Sequence, residues 1–471
     1  MEKSYSLIFS FFFVFITVHA QPTIPAEQES DPVILDKIEK WRDLKFGLLM
    51  HWGTYSQWGI VESWSLCSED EPWCSRSMKN YVDYCRAYTR LKDTFNPVKF
   101  DPGPWAEAAK YAGMKYVVFT TKHHDGFSMF DTKQTDYRIT DPGCPFHANP
   151  RANIALEIFN TFRKSGFWTG AYFSKPDWHS NDYWAEEWAT PTRNVNYDIK
   201  KYPERWKRFC DFTYNQIGEL MSGYGKMDIL WLDGGWVCPA NNQDINMPDI
   251  AAMARSYQRD LLIVDRTVTG KYENYRTPEQ EIPEKPLGYP WETCMTMAGS
   301  WSYVPGDIYK PANRIIHMLA EIVCKGGNYL LNIGPSPEGE WADTAYVRLK
   351  EIGDWMKVNG EAIYKTRPVE PYRSDNICFT SLRDRSDGKI ITVYAIYLAG
   401  PGENEMPGNL VIRGVDPKEI LAVGLLGYGK KLKWNGDGKD GIRVFIPSAL
   451  KKNPPCRHAW TFKLNLHTVD G

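Results

Sequence analysis

Short apolar segments recur along the N-terminal part of the chain, and each is rich in β-branched and aromatic residues. Continuous apolar runs of this length are typical of strands that are buried on both faces of a parallel sheet. Segments with helical spacing lie between them, and this alternation predicts a parallel sheet covered by helices. The predicted strands are 45–53, 115–125, 167–174, 227–235, 261–267 and 327–335, and the predicted helices are 104–110, 154–164, 203–221 and 249–257.

The number of these units favours a closed barrel over an open sheet. Six predicted strands separated by helical segments over ~340 residues favour a (β/α)8-like, TIM-type barrel, with a doubly wound sheet as the alternative. No glycine-rich dinucleotide motif or Walker loop follows any of these strands. Nucleotide binding therefore has no support.

The pattern changes after about residue 365. Short strands separated by Gly, Pro and Asp turns follow, which predicts an all-β sandwich of ~100 residues. We therefore expect a (β/α)8-like catalytic domain at 21–365 and a C-terminal β-sandwich domain at 366–471. The sandwich either binds glycans or braces the barrel. The predicted strands are 389–398, 409–415, 422–427 and 441–447.

The first twenty residues predict a secretory signal peptide. Lys3 precedes an apolar run at 7–18, and Val18-His19-Ala20 forms a plausible cleavage site. The run is too short to span a bilayer, and no later stretch is apolar for long enough. We therefore expect an exported protein without a membrane span, located in the periplasm, on the cell surface or in the medium.

Composition narrows the range of partners. The net charge is −2 and no Lys/Arg-rich block is present, so the sequence does not predict a nucleic-acid partner. The chain has 19 tryptophans, whose rings can stack on the C–H faces of sugars, although most of them should fill the core. Ten cysteines are compatible with disulfides after export, but their spacing defines neither the pairing nor the oligomeric state.

Polar and titratable residues follow five of the predicted strands. In a barrel of this kind the active site lies at the C-terminal ends of the strands. A buried histidine bonded to a carbonyl would explain any one position, but five coincident strand ends indicate one shared site. The residues are His51, His123-His124-Asp125, Tyr172 with Ser174, Asp233, and Asp265-Arg266.

The residue types favour a glycosidase over a metalloenzyme or a serine hydrolase. His123 and His124 are adjacent, so they should point in different directions along a strand rather than share a metal. We therefore expect no metal and no cofactor. A G-x-S-x-G elbow is missing from the chain. A glycosidase needs rings that stack on the sugar, His and Arg that bind hydroxyls, and two carboxylates that perform the displacement.

Asp233 is the best candidate for the nucleophile. Trp231 and Asp233 share a strand face, so a ring would form the pocket wall beside the carboxylate. Gly234 and Gly235 follow, which lets the chain turn and leaves space for a ligand. The alternative role for Asp233 is a helix N-cap after the strand.

Four motifs together resemble the glycoside hydrolase family 29 α-L-fucosidases. They are KFGLLMHWGTYS, TTKHHDGF, WLDGGW and PWETCMTMAGSWSY, and the resemblance covers residues 35–365. It implies an exo-acting, retaining double displacement on a fucosylated glycan with Asp233 as nucleophile. WLDGGW and TPEQ are more similar to the broad-specificity, Bacteroides-like branch.

The same resemblance implies the substrate-binding residues. His51, His123 and His124 would bind the fucose hydroxyls, and Trp231 and Arg266 would line the same pocket. Trp301 is a candidate for an apolar patch that accepts the C6 methyl group. The other expected binding residues are Tyr172, Glu62 and Trp64.

The general acid lies on a variable loop after the fifth strand in this family. Here that loop is 270–294, and it contains five glutamates. Alignment outward from Arg266 favours Glu279, with Glu292 as the rival. Two alternative functions stay open, namely a glycosidase for the related sugar L-galactose and a catalytically silent carbohydrate-binding protein.

Overall fold

The computed structural model describes residues 28–67, 74, 76–186, 192–384 and 386–467. The predicted signal peptide at 1–20 lies outside the described residues. The N-terminal part contains a seven-stranded parallel sheet with the order β5-β4-β3-β2-β1-β7-β6. The strands are β1 Phe46–Met50, β2 Tyr116–Lys122, β3 Trp168–Ser174, β4 Ile229–Asp233, β5 Leu262–Asp265, β6 Glu292–Thr296 and β7 Asn328–Asn332.

Helices accompany the strands along this part of the chain, as the apolar periodicity predicts. In the helix at 154–164, for example, Asn153 caps the N-terminus, one apolar stripe is buried, and Gly166 follows with φ +90°. The helices are α1 Pro32–Arg42, α2 Tyr81–Thr89, α3 Pro102–Tyr111, α4 Ile154–Lys164, α5 Pro203–Gly223, α6 Met247–Tyr257, α7 Ala312–Cys324 and α8 Asp343–Asn359.

An irregular segment, residues 272–280, lies between the two edge strands of the parallel sheet. Val264 of β5 bridges Glu273 on one side, and Glu279 bridges Cys294 of β6 on the other. Pro278 lacks a ladder donor, which helps to keep the segment from forming a regular eighth strand. The (β/α)8-like class is confirmed, with seven regular strands and a closing segment that carries Glu279.

The C-terminal part forms an eight-stranded antiparallel sheet that curls around its own apolar core, which confirms the predicted β-sandwich class. The strand order is β11-β14-β13-β12-β15-β10-β9-β8. Prediction from sequence missed half of these strands, because β8 contains two prolines and β13 is largely polar. The elements are β8 Arg367–Ser374, β9 Ile377–Arg383, β10 Ile390–Leu398, β11 Asn409–Arg413, β12 Ile420–Leu425, β13 Tyr428–Gly436, β14 Gly441–Phe445, α9 Ser448–Lys452 and β15 Ala459–Leu466.

One end of the antiparallel sheet packs on the barrel. Tyr394 and Ile396 of β10 join the barrel's core, and Trp355 of α8 donates from Nε1 to the Ala459 carbonyl at 3.0 Å. In the described part of the chain, no helix has both the length and the apolarity needed to cross a bilayer.

Candidate active site

The C-terminal ends of the barrel strands surround one pocket of about 790 Å³. Every predicted catalytic or substrate-binding residue except Glu292 lines it, whereas Asp125, Ser174 and Asp265, also expected at the strand ends, do not. The predicted residues that line it are His51, Glu62, Trp64, His123, His124, Tyr172, Trp231, Asp233, Arg266, Glu279 and Trp301.

Asp233, the last residue of β4, is held as an ionised carboxylate. Its Oδ1 accepts from the Gly234 amide at 2.8 Å and from Arg266 Nη1 at 3.0 Å, and its Oδ2 accepts from the Tyr172 hydroxyl at 2.6 Å. Burial alone would raise the pKa of Asp233, but the Arg266 charge and these hydrogen bonds hold it well below its usual range. The group is therefore negatively charged at any working pH.

Arg266 joins the two carboxylates predicted to perform the displacement. Its Nη1 binds Asp233, its Nη2 pairs with Glu279, and its Nε donates to Thr277 Oγ1 at 3.2 Å. The guanidinium also lies 5.2 Å from the centre of the Trp231 ring. One planar cation thus brings Asp233 and Glu279 to the same wall. The Glu279 side chain is 41% exposed at the pocket mouth, whereas that of Asp233 is 15% exposed.

His51, directly after β1, presents a hydrogen-bond acceptor to the pocket. Asn332 Nδ2 donates to the Trp301 carbonyl at 2.6 Å, which fixes the orientation of the amide. Asn332 Oδ1 therefore accepts from His51 Nδ1 at 2.8 Å, so the ring proton is on Nδ1. Burial lowers the pKa of His51 to about 4, so Nε2 keeps a free lone pair at neutral pH.

His124, directly after β2, reaches the same state through a different partner. The Ser174 hydroxyl donates to the Pro176 carbonyl at 2.8 Å, so its oxygen accepts from His124 Nδ1 at 2.6 Å. Burial lowers the pKa of His124 to about 3, which leaves Nε2 unprotonated at neutral pH. That nitrogen lies 3.8 Å from Asp233 Oδ2, and both atoms are acceptors. A donor such as a sugar hydroxyl would satisfy both.

His123 stacks on Tyr172, with ring centres 5.6 Å apart and an interplanar angle of 7°. Its Nδ1 lies 2.5 Å from Ser63 Oγ, and burial holds its pKa well below the usual range. Ser63 Oγ also accepts from the Asp125 amide at 3.0 Å. His123 therefore forms a rigid, neutral part of the pocket wall.

Glu62 lies on the loop after β1 and is an uncharged acid at neutral pH. Its side chain is almost fully buried, and Oε1 accepts from the Ser302 amide at 2.9 Å. Burial, with the nearby charges of Glu279 and Asp233, raises the pKa of Glu62 to about 8. Glu62 therefore supplies a hydroxyl donor in a pocket whose histidines supply acceptors.

Glu292 lies in the barrel interior and does not line the pocket. The Tyr116 hydroxyl donates to its Oε2 at 2.5 Å, and Trp231 Nε1 donates to its Oε1 at 3.2 Å. Burial raises the pKa of Glu292 to about 7. This arrangement fixes the position of the Trp231 ring and leaves no route from Glu292 to a leaving group.

Two buried ion pairs hold the strand ends that carry these groups. Lys175 pairs with Asp265 at 2.5 Å, and Lys122 pairs with Asp177 at 3.1 Å. Both lysine side chains are fully buried. Since a broken buried pair is costly, these contacts restrict movement beneath the pocket.

Arg193, Trp236 and Thr267 also line the pocket and were not predicted. The Arg193 guanidinium lies 4.6 Å from the ring centre of Trp64 and 5.0 Å from that of Trp236. Trp236 ends the WLDGGW motif and could have been found by its position. Arg193 lies far from any motif, and no sequence signal marks it.

His123, His124 and Asp233 also place three possible metal ligands within 4.8 Å of one another. Both oxygens of Asp233 already accept hydrogen bonds, from the Gly234 amide and from the Tyr172 hydroxyl. The Arg266 guanidinium already supplies the cation that this carboxylate needs. The geometry suits a sugar with several hydroxyls at least as well as it suits an ion.

Family models match both parts of the chain. Residues 14–361 match the "Alpha-L-fucosidase" model, and residues 371–465 match the "Alpha-L-fucosidase C-terminal domain" model. The tissue alpha-L-fucosidase of Bos taurus is 30% identical over 446 residues, which cover 90% of this chain and 88% of that protein. The human tissue alpha-L-fucosidase is 29% identical over 463 residues, which cover 94% of this chain and 93% of that protein.

Solved structures show the same architecture. Alpha-L-fucosidase isoenzyme 1 from Paenibacillus thiaminolyticus is 27% identical, with a TM-score of 0.74 over 93% of this chain and 100% of that one. A family 29 alpha-L-fucosidase from Bacteroides thetaiotaomicron, trapped as a covalent intermediate, is 23% identical. Its TM-score is 0.73, over 95% of this chain and 98% of that one. At 23% identity, the likeness to the Bacteroides thetaiotaomicron structure shows a shared fold and nothing further.

Proposed function

The chain belongs to the alpha-L-fucosidase family, and we propose that Asp233 and Glu279 carry out its reaction. The reaction is the hydrolysis of terminal α-L-fucosides from glycans, with retention of configuration at the anomeric carbon. One observation carries this assignment. An ionised carboxylate that accepts three hydrogen bonds lies in a pocket at the strand ends, and Arg266 links it to a second carboxylate at the mouth.

In the first step, Asp233 attacks the anomeric carbon while Glu279 gives a proton to the departing glycosidic oxygen. The bond to the leaving group breaks, and a covalent fucosyl ester of Asp233 forms. In the second step, Glu279 removes a proton from water, which attacks the same carbon and releases fucose. The exposed position of Glu279 suits this role, because the leaving group departs through the mouth.

Hydrogen bonds of defined direction hold the sugar. His51 and His124 accept from sugar hydroxyls through Nε2, and Glu62 donates from its protonated carboxyl group. Because the pKa values of both histidines are lowered by burial, they stay acceptors over the acidic and neutral range. The pocket therefore favours a ligand that offers several hydroxyl donors.

The apolar part of the pocket suits the C6 methyl group of fucose. The Trp301 ring centre lies 5.2 Å from that of His51, and that of Trp64 lies 5.2 Å from that of His124. L-Galactose carries a hydroxyl on C6, which would need a polar partner beside these rings. We propose fucose as the preferred sugar for this reason.

Two further proposals concern the natural setting. Residues 1–20 direct export, because they have the charge and apolar pattern of a signal peptide. The enzyme accepts several linkages, as WLDGGW and TPEQ suggest. The N-terminal residue of the secreted protein tests the first proposal, and initial rates on fucosyl disaccharides of different linkage test the second.

The function is tested with aryl α-L-fucoside and aryl α-L-galactoside, with proton NMR of the first product formed. The proposal predicts rapid turnover of the fucoside, slower turnover of the galactoside, and α-L-fucose as the first product. β-L-Fucose as the first product would exclude the covalent mechanism. Faster turnover of the galactoside would identify the enzyme as an α-L-galactosidase, and binding without turnover would identify a carbohydrate-binding protein.

A further inference from the structure

Five adjacent strands of the C-terminal sheet carry an unusual distribution of charge. β11, β14, β13, β12 and β15 contain four lysines and two arginines but no aspartate or glutamate. The acidic residues nearest to them in sequence, Glu419, Asp437 and Asp440, lie in the connections just outside the strands. We call the outer side of these five strands the basic face.

The charge of the whole chain hides this feature. Residues 366–471 contain 16 Lys and Arg against 11 Asp and Glu, whereas residues 1–365 contain 40 against 47. The C-terminal part therefore has a net charge of +5 and the rest of the chain −7. A cationic surface on one domain attracts anionic partners even when the whole protein is nearly neutral.

The side chains of β13 and β14 show how the basic face is built. Leu432 is buried in the sandwich core, so Lys431 and Lys433 point to the opposite side of the strand. Lys433 lies directly across from Phe445 of β14, which is 38% exposed. Arg443 follows on the same side of β14. Ammonium groups and an apolar ring are thus next to each other.

Several of these charges are not neutralised within the protein. Lys463 pairs with Glu361 at 2.5 Å, and Arg443 pairs with Asp437 at 3.0 Å. Within the described residues, Lys430, Lys431 and Lys433 form no ion pair. These three neighbouring lysines therefore have no counter-charge within the described residues.

An open groove of about 800 Å³ runs across part of the basic face. Lys430, Lys431 and Lys463 line it, together with Glu361, the ion-pair partner of Lys463, and Gly424 and Gly429 leave its surface flat. A Cβ at either glycine would meet no atom within 4 Å. A shallow, flat groove with cations along it suits an extended polymer better than a small ligand.

The basic face borders the surface that braces the barrel. The sheet packs on α7 mainly through β8 and β9, β15 also contacts α7, and Lys463 of β15 pairs with Glu361. Lys431 and Lys433 lie on β13, farther along the sheet toward β11 and β14. Bracing and binding at β13 are therefore compatible.

We propose that the basic face binds an anionic polysaccharide whose sugars carry uronate carboxylates. Repeated carboxylates along a polymer match lysines repeated along and across the strands, and Phe445 can stack on a sugar ring. Such binding would keep the enzyme on a glycan matrix while the barrel releases fucose. The inference does not depend on the catalytic assignment, because the two surfaces lie on different domains.

The test is affinity electrophoresis of the full chain in gels that contain polygalacturonate. Wild type should be retarded, and the retardation should decrease with added salt because exposed charges are screened. Lys431→Glu/Lys433→Glu should weaken the apparent affinity at least about tenfold, as expected for two charges near an anionic surface. Lys431→Gln/Lys433→Gln should give a smaller loss.

The control is Lys200→Glu/Lys201→Glu, which makes the same charge change at exposed positions before α5. It should be retarded like wild type, and all variants should hydrolyse an aryl fucoside at the wild-type rate. Equal retardation of the β13 variant and wild type would overturn the proposal, as would an equal loss in the control. Binding to vesicles of anionic lipid without binding to polygalacturonate would also overturn it, in favour of a membrane surface.

Discussion

Asp233 and Glu292 are carboxyl groups in the same barrel, one largely and one fully buried, but their surroundings shift their pKa values to opposite sides of the usual range. Both lie near Trp231, since Asp233 follows it by two residues and Glu292 accepts from its Nε1 at 3.2 Å. Asp233 has a guanidinium partner and a pKa well below the usual range. Glu292 has neutral donors and a pKa raised to about 7. Hydrogen bonds from neutral groups do not offset burial here, whereas an adjacent cation does.

The difference assigns the two groups to different tasks. A nucleophile must be ionised and must face the substrate pocket, and Asp233 is held as a carboxylate on the pocket wall, which supports the role proposed for it. Glu292 is enclosed by phenol and indole groups, so it positions the wall on which the site is built. The roles of two similar carboxyl groups in one barrel are therefore set by their neighbours, which determine the pKa and the access of each group.

Removal of the charged carboxylate gives the largest expected effect. Asp233→Gly should lower turnover of an aryl fucoside by about 10⁴-fold or more, as is typical when a covalent nucleophile is lost. Azide should restore turnover by attack from the vacated side, and the product should be β-L-fucosyl azide. NMR of that product checks the assignment. Near-normal turnover without azide would refute it.

Glu279→Ala should affect substrates according to their leaving groups. Loss of proton donation should cost about 10²- to 10⁴-fold on alkyl fucosides and much less on an aryl fucoside with an acidic leaving group. Azide should now attack the fucosyl-enzyme and give the α-azide. The control is Glu281→Ala, an exposed position on the same loop. If both substrate types lose activity equally, the acid lies elsewhere, with Glu62 the next candidate in the pocket.

The pKa of Glu62 predicts the alkaline side of the pH profile. As pH rises through about 8, Glu62 ionises and places another negative charge near Asp233 and Glu279. Wild-type kcat/KM, which reports the free enzyme, should therefore fall above that pH. Glu62→Gln keeps a donor that cannot ionise, so its profile should stay flat in this range. Identical alkaline limbs in the two enzymes would contradict the assignment.

Glu292→Gln should give the smallest change in activity, less than about tenfold, because only the position of Trp231 is affected. Its main effect concerns stability. The pKa of Glu292 in the folded protein, about 7, exceeds its value in the unfolded chain. The wild-type protein therefore loses free energy of unfolding as pH rises from about 4.5 to 7 and this buried group ionises. The glutamine variant should therefore lose less thermal stability between about pH 5 and pH 8. Glu284→Gln, at an exposed position, should behave like wild type.

The sequence predicts much of the barrel because its strands are continuous apolar runs. The predicted helix at 154–164 has the same bounds in the structure, and the predicted strand ends meet at one pocket. The segment 272–280 was not predicted to close the sheet. Its pairing depends on tertiary contacts with β5 and β6 that no local periodicity records.

The protonation states of the site residues were harder to predict from the sequence than their identities. The residues His51, His124 and Glu62 could be named from motifs, but their proton states depend on Asn332, Ser174 and burial. Those partners lie far away in sequence. Arg193 was missed because it lies outside the motifs, and its place in the pocket beside Trp64 and Trp236 depends on the fold.

The most direct measurement is to locate the sugar in the trapped intermediate. With a 2-fluoro-fucosyl fluoride, hydrolysis of the fucosyl-enzyme ester is slowed more than formation of the ester. A retaining enzyme should therefore accumulate the labelled ester. Mass spectrometry of a peptic digest should then find one fluorofucosyl group on the peptide that contains Asp233. A label on Glu279, Glu62 or any other residue would contradict the account.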